Sequence, residues 1–212
     1  MNTYLYGCGG HAKVIIDILS RQQQVITAIV DDNPPRGITE IYGTPIYLAA
    51  EKLIKINTEN SQWIAAIGNN RTRQYITQKI TNLGYSFTTA IHPSAQIALV
   101  GVEIASGTVI MANTAINSET KINHHVIINT GTTIDHDCII DDYCHIAPGC
   151  SLAGQVRLGR GVLLGVGTKV CPGVEIGDGT TCGAGSVVIH SLPSHCLAYG
   201  CPAKIVDRNY FP

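Results

Sequence analysis

The sequence predicts a chain of two parts: a small α/β unit over residues 1–90, then an all-β coil of short parallel strands over residues 91–212 with a C-terminal tail. Three observations predict it. An aliphatic residue recurs at almost every sixth position from Ile104 to Val188. Seven of the 22 glycines lie in residues 1–90 and fifteen in residues 91–212, so glycine concentrates where the repeat is. The chain opens with a short apolar run, a Gly-x-Gly-Gly turn and an amphipathic segment, the start of a βαβ unit.

The α/β unit follows in order. Thr3-Tyr4-Leu5-Tyr6 reads as a buried strand. Gly7-Cys8-Gly9-Gly10-His11 is the turn, and Val14, Ile15, Ile18 and Leu19 mark a helix. Val25–Val30 forms a second strand, closed by Asp31-Asp32. A glycine turn at a helix N-terminus offers backbone N–H groups to phosphate, so Gly9, Gly10 and His11 are candidates for a nucleotide, with Asp31 and Asp32 at the strand end. His11 could equally pack at the helix start. The dinucleotide fingerprint is matched only as Gly7-x-Gly9-x-x-Ala12, and about 90 residues hold one Rossmann-like half, enough for a mononucleotide. Ile64-Ala65-Ala66-Ile67 is another buried strand. It ends in Gly68-Asn69-Asn70, before a helix to about Asn82. Asn69 and Asn70 are binding candidates or helix caps.

The second part obeys one rule. Positions 104, 110, 116 and onward to 188 hold aliphatic residues in fourteen of fifteen cases, with Cys182 the exception. Four residues after each comes a small or β-branched residue, from Thr108 to Ser186. Period six advances about 600° around a 3.6-residue helix, which scatters the series. Glycines break any long flat strand. A coil of short strands with each sixth residue pointing inward satisfies both, and hexapeptide periodicity is the mark of a β-helix. Cys138, Cys144 and Cys150 then lie on three faces of one coil, as small buried residues rather than a metal triad.

Composition excludes several classes. Hydrophobic residues make up 45% and charged residues 14% of the chain, so a core is available. The net charge of −1 gives no field for nucleic acid or an anionic membrane. No apolar run is long enough to span a bilayer, and no export signal opens the sequence, which predicts a cytosolic protein whose eight cysteines stay reduced.

The hexads resemble the hexapeptide-repeat acyltransferases, which implies a left-handed parallel β-helix with eighteen residues per coil. Residues 104–191 then form about five coils, roughly 24 Å tall at ~4.8 Å per strand. The order of motifs (Gly-x-Gly-Gly-His turn, Asp-Asp strand end, Ile-Gly-Asn-Asn turn, hexads, closing Tyr199-Gly200-Cys201-Pro202-Ala203-Lys204) resembles one branch, the sialic acid O-acetyltransferase and UDP-4-amino-sugar N-acetyltransferase family. Its most specific segment is Asn129-Thr130-Gly131-Thr132-Thr133-Ile134-Asp135-His136-Asp137-Cys138, followed by His145.

The resemblance implies acetyl transfer from acetyl-CoA to a nucleotide-linked amino sugar, by a homotrimer with clefts between β-helices. His136 would be the general base and Asp137 its orienting carboxylate, in place of the family's frequent Glu. Asn129 and Asp135 would lie by the acceptor sugar. His145 and an exposed Gly154 N–H would contact the thioester, and Val166, Ala184 and Lys204 the CoA. The residues themselves agree. His136 and Asp137 fall at a turn outside the inward series, an imidazole is partly neutral at pH 7, and a thioester needs no metal. Arg157, Arg160, Lys169 and Arg208 are further cations for CoA phosphates. His124-His125 reads as a solvated pair, and His92 as structural. Other readings are O-acetylation of a sugar hydroxyl, a β-helix metalloenzyme using His124, His136 and His145, or a non-catalytic binding scaffold.

Overall fold

The structure is a computed structural model that describes residues 1–210. The chain divides into two compact units, Met1–Pro93 and Ser94–Pro212.

The first unit is a six-stranded sheet flanked by helices. In chain order it runs β1 (Asn2–Tyr6), α1 (Gly10–Arg21), β2 (Ile26–Asp31), β3 (Glu40–Ile41), β4 (Thr44–Leu48), α2 (Ala49–Lys52), β5 (Ser61–Ala65), α3 (Asn70–Asn82) and β6 (Ser86–Phe87). The sheet order is β3-β4-β2-β1-β5-β6, parallel except for the β3–β4 hairpin. The hairpin was not legible from the sequence, because Pro34, Pro35 and Pro45 break the strand pattern there. Helix α1 buries Ala12, Ile15, Ile16, Ile18 and Leu19. Trp63 on β5 stacks on Tyr4 at 5.0 Å and meets Tyr85 at 5.3 Å, anchoring the core on the other side.

The second unit is the left-handed parallel β-helix. Its strands are two residues long, and each pairs with the strand eighteen residues on: Val109 with Ile127, Ile127 with His145, His145 with Leu163. Three faces result. The first carries 109–110, 127–128, 145–146, 163–164 and 181–182. The second carries 115–116, 133–134, 151–152, 169–170 and 187–188. The third carries 121–122, 139–140, 157–158 and 175–176. Every inward residue of the series from Ile110 to Val188 is at most 3% exposed.

The second series, Thr108 to Ser186, is buried as well, and many of its members serve as donors. Thr108 Oγ1 donates to Asn123 O, Thr120 Oγ1 to Asp135 O, and the thiols of Cys138, Cys144 and Cys150 to the carbonyls of Ala153, Gly159 and Gly165. Corner carbonyls that the short ladders miss are thereby satisfied. This explains why Thr, Ser and Cys share these slots with Val.

A third series completes the coil. Positions 101 to 185 have positive φ at every sixth residue, nine of them glycine. The rest include Asp137 (φ 59°) and Tyr143 (φ 60°). These left-handed residues turn each corner. The coil is irregular only at its ends. Ala115 pairs with Gln96, nineteen residues back, and Thr181 with Leu197, sixteen on. The extra residue of the first coil falls at the corner where Leu99 is fully exposed. A hairpin, 197–200 with 203–207, closes the unit. No helix among the described residues is long and apolar enough to cross a membrane.

Candidate active site

Corners of the β-helix hold four residues between strands, and residues eighteen apart stack along an edge. His136 stands at the corner between the second and third faces, above Ser118 and below Gly154. Its side chain is 54% exposed and that of Asp137 50%. The imidazole is nonetheless mounted. Nδ1 lies 2.7 Å from Asp137 Oδ2. A Cβ built on Gly154 would come within 2.7 Å of both Cε1 and Nε2, so the ring rests against a residue with no side chain. The main chain is fixed from above by Gln155 N–H donating to His136 O at 2.9 Å.

Asp135 completes the corner. Its Oδ1 accepts the His136 backbone N–H at 2.9 Å and Asn117 Nδ2 at 2.8 Å. Asn117 and that N–H hold the Asp135 carboxyl below the usual carboxylate range. His136 is raised above its ordinary value, first by the hydrogen bond to Asp137 and then by the charge of Asp135. With Nδ1 taken by Asp137, Nε2 is the nitrogen left to exchange a proton with a ligand. The sequence placed an exposed Gly154 N–H here; Gly154 is instead buried, because the His136 ring lies over it.

Asn129 belongs to a different corner, between the first and second faces, and His145 to the strand of the first face that leads into that edge one coil above. Asn129 Nδ2 approaches His145 Nε2 at 3.4 Å, and Asn129 Oδ1 accepts the Thr130 N–H. Val166 and Ala184 follow along that same edge, both exposed. One chain therefore assembles His136, Asp137, Asp135 and Gly154 on one edge, and Asn129, Val166 and Ala184 on another, with His145 on the first face beside it. Asn129 and Asp135, read together as sugar contacts, are not brought together within the chain. Lys204 lies exposed in the closing hairpin. Arg157 sits 3.7 Å from Glu175, and Arg160 lies over the Tyr143 ring at 5.1 Å. The His124-His125 pair is not solvated as a whole: His125 is 7% exposed and stacks on Tyr143 at 5.2 Å. No group of three His, Cys, Asp or Glu side chains among the described residues could hold a metal.

In the first unit a cavity of about 440 Å³ opens beside the glycine turn. It is lined by Cys8, Gly9, Gly10 and Lys13 on one side and by the β3–β4 segment, Ile38 to Ile46, on the other. His11 lies one residue inside the helix, half-buried. Gly7 has φ 105°, and a Cβ there would meet Ala66 O at 2.9 Å, so the turn requires glycine.

Several of the polar candidates are engaged by the fold itself. Asp31 accepts the Cys8 N–H at 2.9 Å and the Asn33 N–H at 2.8 Å, bracing the turn. Asp32 pairs with Lys79 at 3.0 Å, which also reaches Tyr6 Oη at 3.1 Å. Burial, opposed by Lys79 and reinforced by Asp32, pushes Tyr6 up to about 12. Asn69 caps α3, accepting from Thr72 N at 2.9 Å. Asn70 Oδ1 accepts from the buried Arg73 guanidinium at 3.0 Å.

Comparison with known proteins adds three findings. Residues 2–80 match the family model described as the PglD N-terminal domain. A stretch of 124 residues is 35% identical to UDP-N-acetylbacillosamine N-acetyltransferase of Bacillus subtilis (strain 168); it spans 52% of this chain and about half, 51%, of that relative. Among solved structures, perosamine N-acetyltransferase from Caulobacter crescentus, a histidine-to-asparagine variant in complex with CoA and GDP-perosamine, is 40% identical with a TM-score of 0.91. That match covers 97% of this chain and 96% of the other. The acetyltransferase domain of PglB from Neisseria gonorrhoeae FA1090, with acetyl coenzyme A, is 31% identical with a TM-score of 0.89, covering 97% and 98%.

Proposed function

The chain belongs to the sialic acid O-acetyltransferase and UDP-4-amino-sugar N-acetyltransferase family of hexapeptide-repeat enzymes, and from that premise we propose that it transfers acetyl from acetyl-CoA to the amino group of a nucleotide-linked sugar. The observation that carries the mechanism is His136, exposed at its corner, with its Nδ1 on Asp137.

The amine nitrogen attacks the thioester carbonyl carbon. As the C–N bond forms, His136 Nε2 takes the proton that the nitrogen sheds. Asp137 stabilises the resulting imidazolium and fixes the tautomer. The tetrahedral intermediate then collapses, the C–S bond breaks, and the imidazolium returns its proton to the sulfur. The products are the acetamido sugar and CoA thiol.

N-acetylation is favoured over O-acetylation by the relatives, whose names place amino sugars on both UDP and GDP. The nucleotide is assigned to the cavity beside Gly9 and Gly10, with Lys13 at its rim for the diphosphate. His136 stands at the corner between the second and third faces and His145 on the first face, so a site that uses both needs a second copy of the chain. A closed trimer supplies one at each of three equivalent clefts. CoA would then run along the edge of Val166 and Ala184 toward Lys204. All eight cysteines are free.

The test is thiol release from acetyl-CoA across UDP-, GDP- and TDP-amino sugars and free sialic acid. Turnover with a nucleotide amino sugar is the expected result. Turnover confined to sialic acid would establish the O-acetyl reading, and none with any acceptor would remove the assignment.

A further inference from the structure

We propose that Asn117 is a positioning residue for His136, acting through the carboxylate of Asp135. The inference rests on the acetyltransferase reading above and adds to it a residue one coil away from the base.

The geometry is a relay across two coils. Asp135 Oδ1 receives two donors at once, Asn117 Nδ2 from the coil below at 2.8 Å and the His136 backbone N–H at 2.9 Å. Without the amide, the carboxylate has a single anchor and can rotate into water. With it, the carboxylate is pinned under the backbone of the residue that bears the imidazole. Two consequences follow. The turn that aims His136 is fixed at its entry, as Asp137 and Gly154 fix the ring at its tip. A unit of negative charge is also held at constant distance from the ring.

That charge acts among few others. On its own segment His136 has Asp135 and Asp137. The coil below presents Glu119 in line with Asp137, and the coil above presents Gly154 and Gln155, which carry none. On the third face Lys121 is paired with Glu103 and Arg157 with Glu175. Asp135 contributes to the elevation of His136, second only to Asp137.

The next corner supplies an internal control. There Asn123 Nδ2 donates to Asp141 Oδ1 at 3.0 Å, and the following backbone N–H, that of Asp142, donates to the same oxygen at 2.7 Å. The ladder is identical, but no imidazole follows it. If such ladders only build corners, removing either asparagine has the same consequence.

The experiment compares Asn117→Ala, Asn117→Gln and Asn123→Ala in the full chain. It measures kcat, KM for both substrates, the pH profile and thermal melting. Asn117→Ala is expected to lower kcat about tenfold with each KM within about twofold, the signature of lost positioning rather than lost binding. Its acidic limb should move to lower pH, and Asn117→Gln should recover part of both effects. Asn123→Ala should melt like Asn117→Ala yet keep the parent kcat and limb. Equal kinetics in the two alanine variants would overturn the proposal, as would an unmoved limb in Asn117→Ala. NMR titration of the His136 ring reads the same displacement without substrate. A parent enzyme inactive on every acceptor would thus sink the acetyltransferase reading while leaving this one to stand or fall on the ring's titration.

Discussion

Two successive corners, Asp135–Cys138 and Asp141–Cys144, are built alike. Each opens on an aspartate whose Oδ1 takes the next backbone N–H and an asparagine amide from the coil below. Each has its third residue at φ near 60°, with its N–H on the carbonyl one coil down, Ser118 O or His124 O. Each ends in a buried cysteine that donates to a carbonyl fifteen residues on. They differ in the two residues between. One corner carries His136-Asp137 and the other Asp142-Tyr143. The residue eighteen beyond the second position differs too: Gly154 makes room for the imidazole, while Arg160 lies over Tyr143. The proposed chemistry is a change of three side chains on a frame that the fold repeats, so a structural role and the proposed catalytic one can be separated by substituting equivalent positions.

The largest expected contrast is His136→Ala against Asp142→Ala. The first should cost at least ~10² in kcat, the lower range for a general base, and the second almost nothing. Assays on both proteins, with circular dichroism to confirm folding, decide it. Gly154→Ala comes next. Its methyl would sit within 2.7 Å of the ring, and the displaced imidazole should lose about tenfold or more in kcat. Arg160→Ala, its counterpart, should leave kcat unchanged.

Asp137→Asn tests the charge. His136 is raised chiefly by the hydrogen bond to Asp137, so the neutral base, and activity with it, should appear at higher pH than for an unpaired imidazole. Removing that carboxylate should shift the acidic limb of kcat/KM to lower pH while reducing its plateau. Tyr143→Phe should leave the limb where it is. At the small end, Arg157→Ala on the third face breaks an exposed pair at 3.7 Å and should change stability by no more than about 0.5 kcal/mol in a denaturant titration.

The β-helix was legible because one rule governs it. The two inward series read from the sequence are the buried ones. The third series, the left-handed corner residues, was present in the same sequence as glycine at nine of its fifteen positions. Asp137, Tyr143 and other non-glycines hid its phase. The corner of His136 was legible as well, since a histidine and an aspartate outside a strict apolar repeat have no packing role. That Gly154 lies under the ring was not, because the contact joins residues eighteen apart and depends on which way the imidazole leans. His125 was misread for a related reason: a histidine at a turn looks solvated until the ring one coil above covers it.

The α/β unit taught the opposite lesson. Its motif residues were found, but Asp31 is occupied by the backbone N–H groups of Cys8 and Asn33, and Asn69 by that of Thr72 in the helix it caps. Polar residues at strand ends meet the fold's own donors first. Asn69→Ala should accordingly cost about 1 kcal/mol of stability, read by thermal or chemical melting.

Register gives the β-helix an address system: a residue's vertical neighbours are whoever stands eighteen places away. Deleting one residue between His136 and Gly154 would re-address everything above and slide a bulky neighbour beneath the imidazole. Inserting a whole turn's worth near the top would leave that pairing untouched. The chain's own irregular spacings, nineteen and sixteen, fall at its first and last turns. Length variation is therefore harmless at the two ends of the prism and ruinous in the middle, where the count itself holds His136 over Gly154.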